Sequence, residues 1–406
     1  MRDILPLENT VLPYPWGSRT KIAALLGESG PAAEPQAELW MGAHPKAPSK
    51  ALVGGRLRGI DQLIDESPAE ILGAPLLARG ARRLPFLLKV LAAERALSIQ
   101  AHPDLAQAAA GFERDNAAGL PLLAEERNYR DRCHKPEVLF AVEPFSILRG
   151  FRERREILEL ASAIGLEELL PAVGELRRDA SEAGLRAFFA ATLEVESESA
   201  LRRLNQKAVA AIHRRGLDGH PVYRWVLRLA DQFPADRGVL SPLFLNVLRL
   251  EPGQAIFTGP GILHAYLEGF GVELMANSDN VLRGGLTTKH VDVPELLSIL
   301  SFKPQPPHLL EPIAGEDGEQ IFAPPVDDFA LTLVPLAAGA PRKRQGGSVE
   351  ILFVLRGEGL LRSAGGERPF RAGDAFLVPA AAGGYSLEGE GSLFRAEPGA
   401  LADQSG

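Results

Sequence analysis

The apolar residues of this chain change their period twice, and that change limits the folds open to it. Strand-sized apolar runs at 84–90, 96–101 and 138–142 are bounded by proline or charge, which is the length and punctuation of β-strands. Within them Asp104 can cap a short helix over 105–111. From about residue 152 the spacing turns helical: Ile157, Leu160, Ala161 and Ile164, then Leu185, Phe188, Phe189 and Leu193, then Val222, Trp225, Val226 and Leu229. Stripes at i, i+3 and i+4 are how helices pack on one another, so 152–235 reads as a helical segment and not as a cofactor box. Strand-like sequence returns at 243–250 and 255–258 and continues to about Phe302. The Pro-rich stretch 303–307 reads as a linker. Beyond it, 350–355, 359–362 and 375–378 alternate with Gly and Pro turns, as in a small all-β module.

Charge and cysteine content narrow the function. Of 406 residues, 44 are Lys or Arg and 52 are Asp or Glu, a net charge of −8. That argues against general nucleic-acid binding, which needs a basic face. It leaves room for an anionic ligand if a few cations are focused in one cleft. Cys133 is the one cysteine, so no internal disulfide can form. The N-terminus has no apolar signal-like core, and no run reaches the ~18 apolar residues of a membrane span. The expectation is a cytoplasmic protein with no nucleic-acid or membrane partner.

Four segments could carry chemistry. In Ser98-Ile99-Gln100-Ala101-His102, residues two apart share a strand face, so Ser98, Gln100 and His102 project together. In His134-Lys135-Pro136-Glu137, Glu137 stands at the entrance of a strand, and carboxylate and imidazole both suit Zn²⁺, Fe or Mn²⁺. In Gly259-Pro260-Gly261-Ile262-Leu263-His264-Ala265-Tyr266, a Pro-Gly turn brings the chain back so that His264 starts the next strand. Between Glu273 and Lys289, a loop dense in polar groups carries Asn277, Asp279, Asn280 and Arg283 ahead of Gly284-Gly285. Such density favours function over packing. Arg283 could reach a phosphate or an enediolate bidentately, and Lys289 could add a second positive charge.

The turn before His264 resembles the second metal motif of cupin barrels, with Gln100, His102 and Glu137 filling the places of the first. The resemblance extends further. Leu97 to Pro103, His134 to Glu137, His264 to Tyr266, and Met275 to Arg283 followed by Gly285 to Lys289 resemble the type I phosphomannose isomerase family. Tyr14-Pro15-Trp16-Gly17 and the stretch from Ala37 to Pro45 are similar to it as well. The match runs in order from about residue 9 to 302. It implies a mainly β fold of two cupin-type (jelly-roll) β-barrel modules with an α-helical insertion. In this division 1–150 and 240–302 form the catalytic cupin, 151–239 the insertion, and 303–406 a C-terminal cupin-like domain without a metal site. It implies a zinc-dependent aldose–ketose isomerase interconverting mannose 6-phosphate and fructose 6-phosphate, with one Zn²⁺ per chain held by Gln100, His102, Glu137 and His264. By the same resemblance Arg283, Lys135, Asp279 and Glu273 are catalytic, and Ser98, Tyr266, Lys289 and His134 bind substrate. The general base is drawn from Asp279, Glu273 and His134. A sugar phosphate is the expected partner and a monomer the expected state. Two rivals are a phosphosugar isomerase acting on glucose 6-phosphate and a non-catalytic sugar-binding cupin. Near the C-terminus, Gly373-Asp374-Ala375-Phe376-Leu377-Val378-Pro379 repeats part of the second motif. Gly384, next to Tyr385, stands where the histidine would, and 309–406 holds no histidine.

Overall fold

The computed structural model describes residues 2–195 and 197–399. Position 196 of the expected insertion and 400–406 of the expected C-terminal module lie outside the described residues. The chain is mainly β, in two large sheets whose neighbouring strands all pair antiparallel. One sheet has 10 strands and the other 11 among the described residues. Both strand orders are open paths, so neither sheet closes on itself among the described residues.

The 10-stranded sheet turns on one long strand, His264–Ala276. Its second half pairs with Phe86–Ala93 on one side and Glu137–Ala141 on the other. Its first residues pair instead with Phe145–Phe151 and Ile99–Ala101. A register shift between Tyr266 and Glu268 marks the corner. Irregularities of this kind are how a strand leaves one layer and enters another.

Alternation along these strands assigns their faces. Leu39, Met41, Leu88, Val90, Val138, Phe140, Val272 and Leu274 all enter one core together with Phe322, Phe353 and Phe394 of the C-terminal sheet. Phe140 meets Phe322 and Phe394 edge-on, with ring centroids 5.4 and 4.9 Å apart. On the other arm, Ile99, Ala101, Leu148, Ala265, Leu267 and Leu282 face the helices and pack with Ile157, Phe188, Phe189, Val226 and Leu229. Each arm is thus covered on its outer face, and the polar faces turn toward each other.

The helical segment runs from Arg154–Ala163 to Pro221–Gln232, and the stripes read from the sequence are buried apart from Leu160, which is half-buried. The early helix is also present, as Leu105–Ala117. Asp104 accepts from the Gln107 amide and Gln107 reaches back to the Asp104 amide, a capping box. One placement differs from expectation. Leu5–Glu8 joins the C-terminal sheet, pairing with Ala375–Val378, and carries Lys50–Val53 and Arg56–Gly59 with it. No helix among the described residues is long and apolar enough to cross a membrane.

Candidate active site

Register brings the polar residues together. Gln100 lies opposite both His264 and Arg283, and directly opposed residues share a face. On the other arm Glu137 lies opposite Met275, and Glu273 opposite Lys89, which is opposite Trp40. Met275 and Glu273 are two apart, so Glu137, Glu273 and Lys89 share one face.

Where the arms meet, His102, Glu137 and His264 converge, with one ligand atom from each lying within 4.8 Å of the others. All three are buried. His102 Nδ1 lies 2.7 Å from the Asn280 carbonyl, and His264 Nδ1 lies 2.9 Å from the Ile262 carbonyl. A carbonyl only accepts, so each Nδ1 carries the hydrogen and each Nε2 presents a lone pair. His102 Nε2 stands 3.4 Å from Glu137 Oε1 and His264 Nε2 stands 3.2 Å from Glu137 Oε2. His102 Nε2, His264 Nε2 and Glu137 Oε2 have no hydrogen-bond partner. Three buried acceptors facing one another without a donor call for a cation. Two imidazole nitrogens and a carboxylate oxygen, with the Gln100 strand alongside, form a donor set suited to Zn²⁺. The carbonyls behind the imidazoles are the outer contacts that fix tautomer and orientation in such sites.

The surroundings keep these groups in ligating form. Burial, and then the Lys135 ammonium, push His102 down to about 4. Burial alone would raise Glu137, but Lys135 and the two histidines outweigh it and hold the carboxyl well below its usual range. Lys135 is buried and ion-paired to Glu137, so its charge is directed at the candidate ligand rather than free for a phosphate.

The other predicted residues separate into three places. Tyr266 and Glu273 lie in a buried network: the Tyr266 hydroxyl donates to Glu273 Oε1 at 2.8 Å, and Lys89 donates to Glu273 Oε2 at 3.0 Å. Asp279 lies at the rim, bonded to Lys46 at 2.9 Å and 3.4 Å from His44 Nε2. Burial opposes its ionisation, yet His44 and Lys46 hold its carboxyl far below the usual range. His134 points elsewhere, to Asp328 of the C-terminal sheet region at 2.8 Å.

Ser98, Arg283 and Lys289 line one cavity of about 400 Å³ together with Trp16, Arg95 and Thr288. Arg283 is half-buried, and no protein group accepts from its guanidinium among the described residues. Burial and Arg130 lower its pKa, and burial and Arg283 lower that of Lys289. Cations that destabilise one another around a cavity are poised for an anion.

Comparison with known proteins places this geometry. Residues 4–154 match the model of the phosphomannose isomerase type I catalytic domain, and 319–398 match that of the mannose-6-phosphate isomerase cupin domain. The chain is 38% identical to mannose-6-phosphate isomerase of Escherichia coli (strain K12) over 393 residues, covering 96% of this chain and 98% of that one. The chain belongs to the type I phosphomannose isomerase family. The human mannose-6-phosphate isomerase is 34% identical over 386 residues, 87% of this chain and 88% of that one. A point mutant of phosphomannose isomerase from Salmonella typhimurium has a structure with a TM-score of 0.90, 36% identity, and coverage of 98% of this chain and all of the other. A mannose 6-phosphate isomerase solved with zinc bound gives a TM-score of 0.89 at 36% identity and the same coverage.

In this phosphomannose isomerase fold, the sequence reading gave two contributors no role. Lys89 is buried, with Glu273 at 3.0 Å, Glu38 at 3.9 Å and the Trp40 ring beneath it at 5.1 Å. Burial would discharge it, but Glu273, Glu38 and Glu137 outweigh burial and raise its pKa. Its signal was visible: one charge inside an apolar strand. Asn280 was visible only as part of a polar loop. Its amide nitrogen bonds Asp131 while its carbonyl orients His102.

Proposed function

We propose that the chain is a zinc-dependent aldose–ketose isomerase interconverting D-mannose 6-phosphate and D-fructose 6-phosphate through a cis-enediolate. One observation carries the reading. Unpartnered lone pairs on His102, Glu137 and His264 lie in a fold that also sets the unpaired cations Arg283 and Lys289 around a cavity. Gln100, His102, Glu137 and His264 would hold one zinc ion per chain. Bound there, zinc supplies Lewis-acid character and polarises the oxygens of the reacting carbons.

The chain's own residues do the rest. Arg283, Lys289 and Ser98 take the anionic sugar phosphate. Hydrogen moves from C2 to C1: a base removes the C2 proton, the electron pair enters the enediolate, the O2 proton passes to O1, and a proton returned at C1 leaves a carbonyl at C2 and a hydroxyl at C1. Arg283 faces the charge that develops on oxygen, which is where a fixed cation lowers the barrier. Of the three candidate bases, Asp279 is tied to Lys46 and His44, which keep it a weak base, and His134 is bonded to Asp328. Glu273 shares the inner face with Glu137, and we infer that it carries the proton, with Lys89 and Tyr266 holding it in place. Residues 1–150 and 240–302 supply the catalytic jelly-roll, apart from the early strands lent to the other sheet. Residues 151–239 brace it, and 303–406 form the cupin-like module without metal. A monomer in the cytoplasm suffices for this reading.

A coupled assay of mannose 6-phosphate turnover tests it, on the protein as purified, after chelation and after zinc is restored. Activity is expected to vanish and return. Turnover of glucose 6-phosphate instead would change the substrate, and no turnover with zinc bound would sink the isomerase. Arg283→Ala should cut turnover at least a hundredfold with zinc retained, whereas His264→Ala should lose zinc and activity together.

A further inference from the structure

We infer that Asp236, at the exit of the helical segment, is a positioning residue that sets the shape of the anion-binding loop and hence the affinity for the phosphate end of the substrate. The inference rests on the proposed isomerase reading. Three backbone amides converge on this one carboxylate. Gly238 and Leu286 donate to Oδ1, each at 2.6 Å, and Thr287 donates to Oδ2 at 3.2 Å. Two of those amides belong to the loop that joins Arg283 to Lys289.

The loop needs such a clamp. Leu286 has φ of +53°, a left-handed conformation that L side chains other than Asn and Asp rarely adopt. Its side chain is buried in the core shared with the helices. Beside it, Gly285 lies so close to Gly238 that a Cβ would sit 2.9 Å from its Cα and amide nitrogen. Backbone meets backbone there, and the carboxylate closes the contact. Charge-assisted bonds to a fixed carboxylate hold a strained turn better than neutral ones.

Asp236 is itself held from the helices. The buried Asn205, on the helix Glu198–Arg214, donates to the Asp236 carbonyl at 3.0 Å and to the Pro234 carbonyl at 3.3 Å. A continuous chain of contacts therefore runs from a helix of the insertion through Asp236 to Leu286 and Thr287. Past them come Thr288 and Lys289, which line the cavity with Arg283. The loop amides point at Asp236, away from the cavity, so the anion meets side chains set by the clamp. Pre-set cations bind with less ordering cost than mobile ones.

The test uses the zinc-loaded full chain. Inorganic phosphate is titrated by calorimetry, and KM and kcat are measured with mannose 6-phosphate. In Asp236→Ala, KM and the phosphate dissociation constant should both rise about tenfold, with kcat within threefold of wild type and zinc still stoichiometric. In Asp236→Asn, one acceptor oxygen remains for Gly238 and Leu286, and both constants should rise only about threefold. That variant also serves if the alanine variant does not fold. Phosphate affinity unchanged within twofold in either folded variant overturns the inference, as does lost zinc with unchanged KM. A wild-type chain that binds phosphate but does not isomerise would fail the functional reading alone. A wild type that binds no phosphate would overturn the inference itself.

Discussion

His102 is kept neutral by its surroundings: it is buried, Lys135 stands nearby, and its one proton is committed to the Asn280 carbonyl. Its folded pKa is depressed from 6.5 to about 4, so between those values the unfolded chain binds a proton that the folded chain refuses. Stability from this group is therefore present above pH ~6.5 and lost as pH falls toward 4. The full difference is about 3 kcal/mol at 1.36 kcal/mol per pH unit. Urea unfolding of the metal-stripped protein between pH 7.5 and 4.5 should show that slope, and His102→Gln should flatten it. At this scale the sequence was informative about which polar residues converge, because His102, Glu137 and His264 each stand at a strand end or turn that a local motif marks. It was less informative about partners. Lys135 sits in the tetrapeptide as a free cation, but in the fold it is ion-paired with Glu137. Lys89 is one polar position in an apolar strand, and only the neighbouring strands reveal that Glu38, Trp40 and Glu273 surround it. Those contacts come from residues far apart in the chain, which no local pattern encodes.

The strand His264–Ala276 does for the site what two separate strands could not. Before its corner it presents His264 and Tyr266, and after it Glu273, and the two halves face each other closely enough for Tyr266 to reach Glu273 at 2.8 Å. Gly269 lies in that corner, where a Cβ would come within 2.4 Å of the Phe145 ring and 2.7 Å of its Cα. Backbone cannot yield as a side chain does, so Gly269→Ala should destabilise by about 1–3 kcal/mol, the usual range for overpacking. Because the corner sets His264 against Glu273, kcat should fall as well. Denaturant midpoints and steady-state kinetics on the same variant check both, and a loss of stability with full activity would show that the corner does not tune the site. Periodicity revealed the strands, the helical stripes and the Asp104 cap because each is decided within a few residues. The destination of Leu5–Glu8 was not legible. Four residues carry no address, and their pairing with Ala375–Val378 is chosen by edges made some 370 residues later in the chain.

Across the whole molecule, the C-terminal sheet repeats the wiring of the catalytic arm with a different cation. Glu137 starts a strand, lies opposite Thr258, and is followed by Val138 opposite Leu274. Glu350 likewise starts a strand, lies opposite Val378, and is followed by Ile351 opposite Ala396. His264 opens the long strand opposite Gln100, as Tyr385 opens its strand opposite Arg344. The counterpart of His264 is thus Tyr385, one residue beyond the Gly384 expected from the motif. The carboxylate of this second site is satisfied from within: the Tyr385 hydroxyl donates to Glu350 at 2.6 Å and Arg344 donates to it at 3.0 Å. Where Glu137 keeps a bare oxygen, Glu350 has a guanidinium and a phenolic hydroxyl as partners. Arg344→Met should therefore behave unlike any change in the catalytic arm. It strips the counter-ion from a fully buried carboxylate, which costs about 3–5 kcal/mol when one partner of a buried pair is removed. The side chain of Arg344 is 37% exposed, so solvent screening should bring the loss toward about 2 kcal/mol. Zinc content and kcat of the folded protein should stay at wild-type values. Because the C-terminal sheet shares a core with the catalytic arm through Phe322, Phe353 and Phe394, the weakened module should not melt by itself. Tryptophan fluorescence, which reads Trp16, Trp40 and Trp225, and far-ultraviolet circular dichroism should shift to lower denaturant together, and separated transitions would show that the two halves are held more loosely than that core implies.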